Sequence, residues 1–267
     1  MQVSNSRISS NVQLVHQEGF WTLSIARPDK ANALTAEMME ELGSAASRAG
    51  QAGRIPVLLL SSKSSRVFCA GADIAEFSAG HEFLDRQERA LLTMIRSFSM
   101  TLAPIIAVAS GRASGAGAIL LALADVVIAA EDLVVAAPEI RFGMYPVIVE
   151  AVLQSRLSFG LASQLCVSGR HLSAMAACDL GLVTEVLPAA DFESRARERV
   201  DFYLQRAMGL SIARRARVSA EPVRQLLERL PQVAPLMGEN YENDEVRTRI
   251  AHYLANLGAV RSDGIDV

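Results

Sequence analysis

Two short stretches rich in glycine and alanine, Phe68-Cys69-Ala70-Gly71-Ala72-Asp73-Ile74 and Gly111-Arg112-Ala113-Ser114-Gly115-Ala116-Gly117-Ala118, each follow an apolar run that reads as a strand. Small side chains let a ligand approach the main chain, and N–H groups at a turn or helix start are donors free to meet it. Two such turns side by side would hold the oxygen of a carbonyl that becomes an anion during reaction, which is the chemistry of an oxyanion hole. Each turn taken alone also reads as a packing device. Neither is a dinucleotide fingerprint, because Gly115-Ala116-Gly117-Ala118-Ile119-Leu120 lacks the third glycine of GxGxxG.

The elements that must position these turns follow from periodicity. Val12 to His16 and Phe20 to Ala26 read as a hairpin around Glu18-Gly19. Thr35 is a candidate N-cap for a helix to about Ala49, with Glu37, Glu40 and Glu41 in its early turns. Pro56 to Ser61 reads as a buried strand, followed by a helix from about Phe83 to Leu102 and a strand from Ile105 to Ala109. A short helix from about Gly115 to Ala124 and a strand from Asp125 to Ala129 complete the pattern. Strands that alternate with helices and read as continuous apolar runs predict an α/β domain with mostly parallel, covered strands. From about Leu161 onward the pattern is helical, with Ala189 to Met208, Ser211 to Leu230 and Gln232 to Leu257 punctuated by Pro222, Pro231 and Pro235, and a frayed tail after Gly258.

Composition bounds what such a chain can be. With 267 residues, 51% hydrophobic, it buries a large core without disulfides or a structural metal. A net charge of -3, from 26 basic and 29 acidic residues, excludes a dedicated nucleic-acid binder, which needs a clustered positive surplus. The longest apolar run, Ala116 to Ala124, falls short of the roughly 20 residues of a membrane span. Residues 1–10 lack the pattern of a secretory signal, so a cytoplasmic address is expected. Cys69, Cys166 and Cys178 form no CxxC pair and read as buried thiols, and the four histidines lack metal-ligand spacing.

As a set, Arg27 to Leu34, Phe68 to Ile74, Gly111 to Gly117, Asp125, Pro138-Glu139 and Ala176 to Val183 resemble the enoyl-CoA hydratase/isomerase (crotonase) superfamily in order and spacing across about Val12 to Leu187. The resemblance implies a ββα spiral core spanning 1–205, a C-terminal helical trimerisation region at 206–258 and a flexible tail at 259–267. It implies homotrimers that often pair into hexamers. It also implies an acyl thioester as substrate, on coenzyme A or on a carrier protein, with no cofactor apart from the coenzyme A of the substrate itself. Its oxyanion hole maps onto the backbone N–H groups of Ala72 and Ala116. Along the substrate it maps Lys30, Ala31, Ala70, Asp73 and Ile74, with Arg27 beside them. A solvated loop charge for Lys30 and a capping role for Asp73 stand as the alternatives.

The catalytic carboxylates depart from the family. The best-known hydratases use two glutamates twenty residues apart. The second is present here as Glu139, while position 119 is Ile119, which cannot move a proton. A lone Glu139 is free of the repulsion that paired carboxylates exert, so burial is the main influence on its acidity and suits it to act as a base. It serves a hydratase-like addition or elimination of water at C2–C3, or a double-bond isomerisation. Loss of turnover, leaving a silent binder of thioesters or of a protein partner, is the remaining reading. Glu150 could stand in for the missing carboxylate and Tyr145 could donate a proton. Each has a structural alternative, as an early-helix glutamate and a core tyrosine. Arg195, Arg197 and Arg199, and then Arg214, Arg215 and Arg217, read as solvated helix faces, with contact to the phosphates of coenzyme A or to an acidic carrier protein as the alternative.

Overall fold

The computed structural model describes residues 4–7, 9–17, 19–51, 57–77 and 81–263. The chain opens with β1 (Ser4–Arg7), β2 (Val12–Gln17) and β3 (Phe20–Ile25), an antiparallel meander. The hairpin expected from the sequence is therefore β2–β3; Glu18 and Pro56, assigned to its turn and to the next strand, lie outside the described residues. Helix α1 (Ala36–Gln51) begins where Thr35 Oγ1 accepts the Met38 N–H at 3.2 Å, the cap its sequence predicts. Then come β4 (Val57–Ser62), α2 (Ile74–Phe77), α3 (His81–Met100) and β5 (Ile105–Ala109).

The stretch from Gly111 to the helix expected at about Gly115 reads in the sequence as a turn. Its middle is instead the strand β6 (Arg112–Ser114), which leads directly into α4 (Ala116–Leu123). Next are β7 (Val126–Ala130), β8 (Val134–Ala136), α5 (Val147–Leu153) and α6 (Phe159–Ser168). After β9 (Leu172–Ser173), α7 (Ala174–Asp179) and β10 (Glu185–Leu187) come α8 (Phe192–Leu204), α9 (Ala207–Val218), α10 (Glu221–Glu242) and α11 (Asp244–Asp263).

Strand order in the main sheet is β1-β2-β3-β4-β5-β7-β10, and every pair from β3 onward is parallel. Alternation along its strands divides the interior in two. Leu58, Leu60, Ile105, Ala107, Val127 and Ala129 join the large core beneath α1, α3 and α4. Val57, Ile106, Val126 and Ile128 face the other way, onto Ala196 and Val200 of α8. Both faces are covered, which is why these strands read as continuous apolar runs. A second sheet, β6-β8-β9, ends at Gly115, where β6 gives way to α4.

The C-terminal helices differ from the expected breaks. α9 ends at Val218, and Pro222 lies in the first turn of α10, where a missing N–H costs nothing. α10 then runs unbroken past Pro231 and Pro235. These two prolines are four residues apart on the exposed side of the helix, so the carbonyls they leave unpaired face water. Helix α11 continues to Asp263, so the backbone of the expected tail is helical to that point, and 264–267 lie outside the described residues.

The arginine cluster at 214–217 is corrected too. Arg214 is 2% exposed and donates to the carbonyls of Thr101, Ser99, Phe98 and Leu123 as well as to Asp125 at 3.2 Å. Arg217 shares the Asp125 carboxylate at 3.1 Å, while Arg215 stays exposed. Asp125 also accepts the Ile105 N–H at 2.8 Å, so this ion cluster ties α9 to the ends of α3, β5 and α4. A guanidinium buried here is held because its donors meet carbonyls and a carboxylate. Among the described residues no helix is long and apolar enough to cross a membrane.

Candidate active site

Backbone pairing brings the two small-residue turns together. The Cys69 N–H donates to Arg112 O at 3.1 Å and the Ser114 N–H to Cys69 O at 2.9 Å, a parallel bridge between the segments. A third segment joins where the Gly115 N–H donates to Ala136 O at 3.0 Å, at the end of β8, just before Pro138-Glu139. Gly71 (φ +113°) and Gly115 (φ +51°) adopt backbone conformations that L side chains rarely take. A Cβ on Gly71 would stand 3.2 Å from Ser114 O, and one on Gly115 would stand 3.7 Å from Gly71 Cα. The turns therefore touch main chain to main chain.

Ala72 and Ala116 occupy the crest of each turn. The bonds around Ala72 run from the Leu34 N–H to Gly71 O and from the Asp73 N–H to Leu34 O, both 2.8 Å, and leave its own N–H without a partner among the described residues. Ala116 is the first residue of α4, and no side chain caps that helix. Its N–H is thus one of the open donors of a helix start, where the macrodipole favours negative charge. Both residues line a partly open cavity of about 100 Å³, together with Ala70, Gly71, Ile74, Gly115, Ile119 and Glu139.

Glu139 sits on a 3-10 turn, Pro138–Phe142, with its carboxylate against the main chain of Gly115: a Cβ there would lie 2.6 Å from Oε1. Its Oε2 is buried without a hydrogen-bond partner among the described residues. Burial pushes its pKa up to about 7, a little offset by a bond from its own backbone N–H. Ile119, on α4, is fully buried and lines the same cavity as Glu139, so an aliphatic side chain stands at that position.

The other residues singled out from the sequence divide clearly. Ala70 and Ile74 line the cavity; Lys30, Ala31 and Asp73 do not. Asp73 accepts from Arg27 Nη1 at 2.6 Å and from the Ala75 N–H at 3.0 Å, while the same Arg27 nitrogen reaches Ala33 O. This pair clamps the first turn to the Arg27–Leu34 loop and takes up the guanidinium. Ala31 holds that loop at φ +51°, and its carbonyl accepts the Ala70 N–H at 3.1 Å.

Tyr145 lines the cavity, but its hydroxyl interacts with Ser163 and Glu150. Burial is the main reason its pKa is raised, which makes it a poorer acid. Glu150 is 6% exposed, lies outside the cavity lining and approaches Arg229 of α10 at 3.8 Å. It therefore does not replace the carboxylate missing at 119; it serves the α5–α10 interface.

Sequence reasoning missed the wall that α10 supplies. Met237, Asn240 and Tyr241 close the cavity from within the same chain. The Asn240 side chain brackets Tyr145, accepting from its N–H at 3.3 Å and donating to its carbonyl at 3.1 Å. Gln87 of α3 and Met144 were missed as well. Buried positions on α10 at Val223, Leu226, Leu230 and Ala234 were a usable signal that this helix packs on its own core.

A mostly parallel sheet, two glycine turns joined main chain to main chain and a buried Glu139 beside them make up the site, and comparisons with known proteins show the family. A family model described as Enoyl-CoA hydratase/isomerase matches residues 16–257. A probable enoyl-CoA hydratase of Rhodobacter capsulatus is 34% identical over 187 residues, 68% of this chain and 70% of that protein. One from Mycobacterium bovis is 32% identical over 196 residues, covering 73% of this chain and 75% of the relative. The crystal structure of an enoyl-CoA hydratase from Bacillus halodurans superposes with a TM-score of 0.81 at 19% identity, over 91% of this chain and 100% of that one. The chain belongs to the enoyl-CoA hydratase/isomerase family.

Proposed function

We propose that this enzyme adds water to, or removes it from, C2–C3 of an acyl-CoA thioester, using Glu139 as its single proton carrier. The observation that carries the reading is the Glu139 carboxylate, buried against Gly115 beside the Ala116 N–H, with Oε2 unpartnered. In the hydration direction Glu139 takes a proton from water as the oxygen bonds to C3. The C2–C3 π electrons move onto the thioester carbonyl, and the Ala72 and Ala116 N–H groups stabilise the oxyanion. Losing one such donor typically costs about 2.7–4 kcal/mol in the barrier. The glutamic acid then returns its proton to C2 as the carbonyl re-forms. Both transfers use one carboxylate, and the sum is one molecule of water added.

The aliphatic wall at Ile119 favours a second reading. In a double-bond isomerisation Glu139 takes a proton from C2 of a 3-enoyl thioester and returns it to C4, with no water to hold. The thiol carrier is read as coenzyme A, with a protein-bound phosphopantetheine as its alternative. Lys30, exposed on the loop clamped by Arg27, remains available to the carrier's phosphates. Exposed apolar residues away from the cavity, among them Phe159, Met175, Met208 and Ile212, support assembly into a homotrimer or hexamer.

Assays of 2-enoyl-CoA hydration and 3-enoyl-CoA isomerisation with wild type and Glu139→Gln test this reading. Wild-type hydration that falls by about 10²–10⁴ in the variant supports it. A wild type that binds a CoA thioester tightly yet turns over neither substrate overturns it in favour of a silent binder.

A further inference from the structure

A second cavity adjoins the one that Glu139 lines. It measures about 390 Å³, and its lining includes Gly143, Leu236, Glu239, Asn243 and Val246. Leu236, Glu239 and Asn243 are exposed, so this is the outer of the two. Tyr145, Val147 and Asn240 line both cavities and form the partition between them. Hydrogen bonds join these three residues into one unit. Tyr145 O accepts the Val147 N–H at 2.8 Å and Asn240 Nδ2 at 3.1 Å, while the Tyr145 N–H donates to Asn240 Oδ1 at 3.3 Å. The Tyr145 hydroxyl is held separately, by Ser163 and Glu150. Asparagine is a poor helix former, and Asn240 lies in the last turn of α10, so the partition accounts for its presence better than the helix does.

The inner room is small. An apolar cavity of about 150 Å³ holds one benzene ring, so about 100 Å³ holds an acyl chain of about four carbons. Ile74, Leu91, Ile119, Val147 and Val149 give that chain an aliphatic lining. Ala72, Ala116 and Glu139 line the inner cavity alone. A thioester seated against them has the partition as its limit on the α10 side, and a longer chain must displace that partition or stay out. The larger outer cavity lies directly behind it.

We propose that Asn240 is a specificity-determining residue: its bracket on Tyr145 is the stop that limits the acyl chain to about four carbons, and removing it joins the two cavities and admits a longer chain. This rests on the acyl-thioester reading of the site. It deepens that reading by naming the side chain that sets acyl length.

Calorimetry of butyryl-CoA and octanoyl-CoA binding to wild type, Asn240→Ala, Leu236→Trp and the double variant tests the stop. Wild type is expected to bind butyryl-CoA at least about tenfold tighter than octanoyl-CoA. Asn240→Ala is expected to lose most of that preference by tightening octanoyl-CoA, with butyryl-CoA within about threefold of wild type. Leu236→Trp fills the outer cavity from an exposed position. Alone it is expected to leave the wild-type preference unchanged, and in the double variant to cancel the gain in octanoyl-CoA. Equal wild-type affinities for the two ligands overturn the proposal and leave the acyl-CoA reading intact. A wild type that binds neither ligand overturns the acyl-CoA reading itself. Equal weakening of both ligands in Asn240→Ala reduces the bracket to a brace between α10 and Tyr145 and overturns the proposal. So does an octanoyl-CoA gain that survives Leu236→Trp, because the chain then does not enter the outer cavity.

Discussion

The Glu139 carboxylate occupies the space in which a side chain on Gly115 would begin, 2.6 Å from that Cβ position. Gly115 is therefore needed twice, once for its φ of +51° and once to leave room for the carboxylate. Gly115→Ala is expected to lower kcat by about 10²-fold or more while the protein still folds, because a displacement near 1 Å is enough for such a loss. Steady-state kinetics beside a thermal melt separates this from unfolding. Unchanged kcat would remove Glu139 from the chemistry.

Burial raises the Glu139 pKa to about 7, and in the proposed hydration its base form is the one that takes the proton from water. The kcat/KM for hydration should therefore rise with pH through about 7 and level off above it. A profile already flat from about pH 5 would show that the carboxylate is not in the buried environment described.

Stability should carry the same signature with the opposite sign. The folded pKa lies above the ordinary carboxylate value, so folding favours the protonated form. That contribution is full below about pH 4.5 and is lost as pH rises through about 7. Glu139→Gln, neutral at every pH, should match wild type in Tm near pH 4.5 and exceed it near pH 8.5. The displacement corresponds to roughly 3 kcal/mol of stability. Equal Tm values across the range would contradict this.

Restoring the absent carboxylate probes the aliphatic wall. Ile119→Glu places a second acid in the cavity with Glu139, and two neighbouring carboxyls raise one another's pKa. The pH limb of any remaining activity should move above about 7, and Tm should fall, because a polar group then fills a fully buried aliphatic site. An unmoved limb would mean that position 119 and Glu139 are too far apart to sense each other.

Arg214 binds α9 to the core through Asp125 and four carbonyls. Arg214→Ala takes this donor from four carbonyls and leaves Arg217 as the cation on Asp125, and is expected to cost about 3–5 kcal/mol in urea unfolding. A cost under about 1 kcal/mol would mean that water replaces the guanidinium freely.

Alternation and helical spacing sufficed to find β2 through β5, α1, α3 and α4, because these elements bury a continuous face. Small strands such as β6, β8 and β9 were not legible. Two or three residues show no periodicity, and these strands exist only through pairing with distant segments. Pro231 and Pro235 misled because sequence alone does not say which face of a helix meets water. The arginines at 214–217 misled for the same reason in reverse: spacing reports charge, but not the carbonyls that surround Arg214. In the site, Glu139 and the paired glycine turns could be read from motif order. Gln87, Asn240 and Tyr241 could not, since helices far apart in the chain bring them together.

The bracket between Asn240 and Tyr145 spans 95 residues of sequence. Synthesis proceeds from the N-terminus at about 5–20 residues per second. For several seconds, therefore, a nascent chain carries both glycine turns and Glu139 with no helix to close over them. The paired turns and Glu139 come first and their cover comes last, so a chain interrupted before α10 leaves them without the wall that Met237, Asn240 and Tyr241 supply.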